Sequence, residues 1–129
     1  MHPRDVDRFS LASRLESFRC AFRGVGTLLA SQHNARIHLL STVCACGLGF
    51  LIGVSRLEWC AIVVAIAMVW MAEALNTAFE FLCDVASPEF HPLIQKAKDV
   101  AAAAVLLSAV GAAVIGLIVF VPHLLRITG

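Results

Sequence analysis

The sequence lacks the signatures of the familiar nucleotide-binding folds. It contains no P-loop, no protein-kinase glycine loop and no dinucleotide fingerprint, and Gly24-Val25-Gly26 is too slight to count. Net charge is almost absent, at +1, so no basic field points to nucleic acid as a partner. A signal peptide is lacking too: residues 1–8 carry Asp5 and Asp7 and no apolar h-region, so the first hydrophobic helix is expected to stay as an anchor. The cysteines, Cys20, Cys44, Cys46, Cys60 and Cys83, are odd in number and match no zinc spacing. They read as small hydrophobes in apolar helices. No internal repeat or low-complexity segment stands out.

What is abundant is apolar surface. Of 129 residues, 60% are hydrophobic, and mean hydropathy is +0.85. A soluble domain sits near about 45–50%, and a globule of this size has too much surface to hide the excess. The composition therefore predicts one all-α integral membrane domain, residues 1–129.

Residues 9–30 predict an amphipathic surface helix. Leu11, Leu15, Phe18, Phe22, Val25 and Leu29 follow spacings of four and three, with Glu16 and Arg23 opposite. Such a helix suits the membrane interface, or else docks on the bundle. Ser31, Gln32, His33 and Asn34 interrupt the pattern as a turn or helix break. Three spans follow, over about 37–54, 59–82 and 100–122, each close to the length a bilayer core requires. Gly47, Gly49 and Gly53 suit close helix contacts, and Trp59 an interfacial position. Pro122 is expected to close or kink the last helix.

Lys and Arg are unevenly placed. Arg4, Arg8, Arg14, Arg19, Arg23, Arg36, Lys96 and Lys98 fall on one side of a three-span topology, and Arg56 and Arg126 on the other. The bias places the N-terminus in the cytoplasm.

The second span carries the chemistry. At 100° per residue, Glu73, Glu80 and Asp84 fall within about 20° of a common line, with Asn76 on the edge of that face. Each acid in a membrane helix is costly and reads as functional, although a polar cluster can also lock a bundle by hydrogen bonds. Carboxylates beside a loop bearing Lys96 and Lys98 suit Mg²⁺ and phosphate oxygens, which is the equipment of phosphoryl transfer.

The blocks "AEALNTAFE" at Ala72–Glu80 and "KAKDVAAAAVLL" at Lys96–Leu107, with "NARIH" at Asn34–His38, resemble the prokaryotic diacylglycerol kinase and undecaprenol kinase family. The resemblance runs from about Arg14 to Pro122. It implies a homotrimer in the bacterial inner membrane that uses ATP and Mg²⁺ to phosphorylate a lipid hydroxyl at the cytoplasmic face. By motif, Glu73 matches the general base, Asn76 a polar active-site residue beside it, and Glu80 a metal ligand at the nucleotide phosphates. Lys98 and Asp99 match nucleotide-contacting residues, to which Arg14 and Ser17 are added; Arg23 and Asp84 are looser matches. Glu73 and Arg36 are the residues assigned to the lipid. The family's usual metal-binding glutamate is replaced here by Gln32, so the site is one negative charge short.

The "NARIH" entry, the "AKDVAAAAVLL" block and the ending "GLIVFVP" resemble the undecaprenol kinases more than the diacylglycerol-specific branch, which leans to undecaprenol as acceptor. Three other readings remain open: a catalytically impaired binding relative, a metal-dependent lipid-phosphate phosphatase, and a small proton-coupled transporter. The transporter reading fits poorly, because the first span carries no acid. His38 reads as an interfacial helix-end histidine, with contact to a lipid phosphate as the alternative.

Overall fold

The computed structural model describes residues 10–129, so the expected helix start at residue 9, and Arg4 and Arg8, lie outside the described residues. Four helices follow in order: α1 Leu11–Ser31, α2 His33–Ile52, α3 Arg56–Ala86 and α4 Pro92–Thr128. The last three are long and apolar enough to cross a membrane, and no strand occurs among the described residues.

The stripe on α1 is not absorbed by the rest of the chain. Leu11, Leu15, Phe18 and Phe22 are all exposed, Phe22 to 75%, and only Leu28 is buried. An apolar face of this length left uncovered suits a lipid interface. The expected four-residue break contracts to Gln32 alone. Its backbone is extended (φ −116°, ψ 122°) and serves both as the C-cap of α1 and the N-cap of α2. The end of α1 is closed from two directions. The Gln32 N–H donates to the Leu28 carbonyl at 3.0 Å, and Arg36 donates to the carbonyls of Leu29 (3.0 Å) and Ala30 (2.8 Å). With those carbonyls satisfied, one extended residue is enough to turn the chain.

The turn between α2 and α3 is equally tight. Gly53 takes a left-handed conformation (φ 72°), which glycine adopts without steric cost, and Gly53 and Val54 both donate to the Gly49 carbonyl. Ser55 then caps α3 in a reciprocal box. Its hydroxyl accepts from the Glu58 N–H at 3.2 Å, and its own N–H donates to the Glu58 carboxylate at 2.7 Å.

α4 starts well before the expected span at about 100, at the dipeptide His91-Pro92. His91 Nδ1 accepts from the Leu93 N–H at 3.2 Å, and Pro92 stands at the first helical position, where its missing N–H is harmless. The helix also runs through Pro122 to Thr128 rather than closing there. His123 next to the proline contacts Glu58 at 3.0 Å, which ties this last segment to the start of α3.

α3 packs chiefly along α4. The apolar core lies at the end of the bundle near Ser55: Val54, Ile62 and Val119 are buried, with Trp59, Ile66, Ile115 and Phe120 packed on them. Trp59 therefore packs inward. Its ring centroid is 4.7 Å from that of Phe50, and it lies so close to Gly49 that any Cβ there would meet the indole at 2.8 Å.

Candidate active site

The buried face of α3 is one continuous stripe: Ile62, Ala65, Val69, Glu73, Asn76, Thr77 and Cys83. Spacings of three and four hold from Ile62 to Asn76; Thr77 adjoins Asn76, and Cys83 follows two turns on. The first three positions are apolar as packing requires, whereas Glu73, Asn76 and Thr77 place polar groups where the pattern calls for more apolar ones. Glu73 is 1% exposed, the largest fully buried side chain among the described residues.

Local structure does not satisfy these groups. Both carboxylate oxygens of Glu73, Asn76 Oδ1, Thr77 Oγ1 and His38 Nε2 are buried without a hydrogen-bond partner among the described residues. Leaving a buried polar group unmade costs about 1–3 kcal/mol, more when it is charged, so a cluster of them calls for an explanation beyond packing. His38 of α2 faces the carboxylate, with Nε2 at 3.5 Å from Glu73 Oε2.

Further along α3, the Asn76 amide donates to Glu80 at 3.2 Å, and Lys98 of α4 pairs with Asp84 at 3.0 Å. At 1.5 Å per residue, Glu80 lies about 10 Å and Asp84 about 16 Å along the axis from Glu73. The structure thus places Glu73, Asn76 and Glu80 on one helix and brings Lys98 to its far end.

Other residues expected at the site make local contacts of their own. Asp99 accepts from Gln95 at 2.9 Å. Gln32 is the half-buried hinge between α1 and α2, and the Arg36 guanidinium is engaged with the end of α1. Ser17 donates to the Ser13 carbonyl at 3.0 Å, and Arg14 lies exposed in the opening turn of α1. Thr77 was missed from the sequence, although it lies beside Asn76 on the same face.

No three His, Cys, Asp or Glu side chains among the described residues are grouped as a metal cage. Magnesium is commonly held by one or two carboxylates with substrate phosphates and water completing the shell. Glu80, already steadied by Asn76, fits that mode.

Two grooves flank this face. One, about 370 Å³, runs between α2, α3 and α4, with His38, Ser41 and Thr42 among otherwise apolar walls. The other, about 400 Å³, lies between α1 and α3 and includes Thr77.

Together these features define a small protein with three membrane-length helices, an amphipathic helix before them, and unsatisfied polar groups on the second of the three. The chain belongs to the prokaryotic diacylglycerol kinase family, whose model matches residues 19–120. It is 35% identical over 123 residues to a protein of Bacillus subtilis named undecaprenol kinase, covering 95% of this chain and 96% of that one. It is also 35% identical over 114 residues to a diacylglycerol kinase of Synechocystis sp., covering 88% of this chain and 65% of that longer protein.

Proposed function

We propose that this protein is a membrane lipid kinase that moves the γ-phosphoryl group of ATP to the hydroxyl of a lipid. Family membership supports the class. The observation that carries the site is Glu73, a carboxylate buried to 1% exposure with neither oxygen hydrogen-bonded. A packed helix face does not need such a group, whereas a proton acceptor in a water-poor site does.

In this reading the lipid oxygen forms a bond to the γ-phosphorus as the bond from that phosphorus to the departing ADP oxygen breaks. The hydroxyl proton passes to Glu73. Asn76 steadies Glu80 through its amide, and Lys98, held by Asp84, offsets charge on the phosphates. Magnesium, when bound at Glu80, would neutralise phosphate charge. The Lys and Arg bias supports a cytoplasmic N-terminus and a site at the cytoplasmic face of the bacterial inner membrane. Exposed apolar residues on α2 and α4, such as Phe50, Leu107 and Leu117, leave room both for lipid and for the neighbours of a homotrimer.

The test is transfer of labelled phosphate from ATP in mixed micelles with Mg²⁺, with undecaprenol and diacylglycerol offered separately. Both named relatives share the same identity with this chain, so the acceptor is decided by that assay; our reading leans to undecaprenol. Labelled lipid phosphate as product supports the kinase, and release of inorganic phosphate from a lipid phosphate supports a phosphatase instead.

Gln32 favours a second reading, a relative with impaired catalysis that still binds nucleotide and lipid. Metal-dependent ATP binding without turnover, relieved by Gln32→Glu, is its signature.

A further inference from the structure

His38 is set against Glu73 by more than proximity. One turn away, the Trp70 indole N–H of α3 donates to the Thr42 hydroxyl of α2 at 3.0 Å, and Thr42 in turn donates to the His38 carbonyl at 2.7 Å. Trp70 lies three residues before Glu73, and Thr42 four residues after His38. The two helices run antiparallel, so 42–70 and 38–73 are successive rungs. The first rung fixes the register that brings the second together.

The second rung has no hydrogen-bond partner elsewhere among the described residues. Neither the groove between α2, α3 and α4 nor the groove between α1 and α3 is lined by Asp, Glu, Lys or Arg. His38 Nε2 and both Glu73 oxygens are buried without another partner. With a proton on Nε2 the imidazole can donate toward the carboxylate it faces. At 3.5 Å the contact is longer than a formed hydrogen bond, as is common for catalytic contacts before substrate closes them.

We propose that His38 is a positioning residue for Glu73: its Nε2, 3.5 Å from Oε2, donates to the carboxylate once substrate closes the site and fixes it in the orientation that accepts the proton of the lipid hydroxyl. The inference rests on Glu73 as the base. No other donor among the described residues meets the Glu73 carboxylate, and a displacement of about 1 Å in a reacting group can cost about 100-fold in rate.

The experiment compares His38→Leu, His38→Met, His38→Gln and Glu73→Gln in the full chain, in mixed micelles. It measures kcat, KM for lipid and for ATP, thermal unfolding, and the infrared carboxylate band that disappears in Glu73→Gln. Leu and Met fill the space without a donor, and Gln returns one. We expect His38→Leu and His38→Met to lower kcat by about 10–100-fold with both KM values and the melting temperature little changed. The carboxylate band should move in those two variants, and His38→Gln should recover most of kcat and the original band. Equal losses in Gln, Leu and Met, or a loss carried by KM or melting temperature, would show a packing role and overturn the proposal. A dead Glu73→Gln beside a fully active His38→Leu would overturn the role of His38 alone, and an active Glu73→Gln would remove the base reading itself. If Leu fails to fold, Met decides the same question.

Discussion

Replacing Glu73 by Gln separates a catalytic carboxylate from a structural one, because the two roles predict opposite changes in stability. On insertion scales an ionised side chain at mid-membrane costs about 2.5–3.5 kcal/mol, and Glu73, at 1% exposure without a formed hydrogen bond, recovers little of that. Gln keeps the volume and removes the charge. The gain is offset by the loss of the ionised acceptor facing His38 at 3.5 Å, about 1–2 kcal/mol for a buried group left unmade. The difference leaves Glu73→Gln between about 0.5 and 2.5 kcal/mol more stable than the parent, while loss of a general base lowers kcat by about 10²–10⁴-fold. Unfolding of the micellar protein by sodium dodecyl sulfate, followed through Trp59 and Trp70, gives the first quantity, and the kinase assay gives the second. A variant that unfolds more easily by more than about 1 kcal/mol would refute the reasoning, since it would mean that the carboxylate locks the bundle as polar pairs between membrane helices do.

Lys98→Met should lower kcat/KM for ATP by about 100-fold, whereas Asp84→Asn, which leaves the ammonium in place, should do far less; steady-state kinetics over ATP concentration checks both. Gln32→Glu restores a carboxylate at the α1–α2 hinge and should lower the Mg²⁺ concentration for half-maximal activity by about tenfold, read from a magnesium titration at fixed ATP. Ser55→Ala removes the cap of α3 and should destabilise by about 1 kcal/mol with kcat and KM unchanged, because Ser55 lies 18 positions, about 27 Å, along the helix from Glu73; thermal unfolding and turnover of the same preparation test the pair.

The helices and their polar face were legible because both rest on periodicity. An uninterrupted apolar run such as Val100 to Val121 leaves few alternatives to a long helix, and a seven-residue separation puts Glu73 and Glu80 on one side of any α-helix. Where a helix starts is a more local matter. His91-Pro92 reads equally well as a turn, and only the hydrogen bond from the Leu93 N–H to His91 Nδ1 identifies it as a cap. Likewise the polar run from Ser31 to Asn34 gives no sign that a single residue suffices, because the groups that close α1 include Arg36, on the next helix. Contacts between helices are the least legible of all. That His38 meets Glu73 depends on the offset of α2 against α3, which is set by the Gly53 turn and the Thr42–Trp70 hydrogen bond and leaves no periodic trace.

The two ends of α3 are built on opposite principles. At the Ser55 end every conspicuous polar group is answered. Gly53 takes the left-handed turn, Ser55 and Glu58 cap each other, His123 closes onto Glu58, and the apolar cluster packs immediately behind them. Past Val69 the same buried face continues with Glu73, Asn76 and Thr77, whose polar atoms are left partly or wholly unmade. A helix of 31 residues lets one end anchor the other. The satisfied end and its core fix the axis of α3, and that fixed axis can hold a strained polar stretch about 20–30 Å away without its own hydrogen bonds. Sites that must receive substrate draw on locally unfavourable structure supported from elsewhere in the fold. On this argument the stability of the protein should be governed by substitutions between Gly53 and Ile66, and its turnover by substitutions between Glu73 and Asp84. Destabilising the first segment should lower both the melting temperature and the active fraction together, with kcat per folded molecule unchanged.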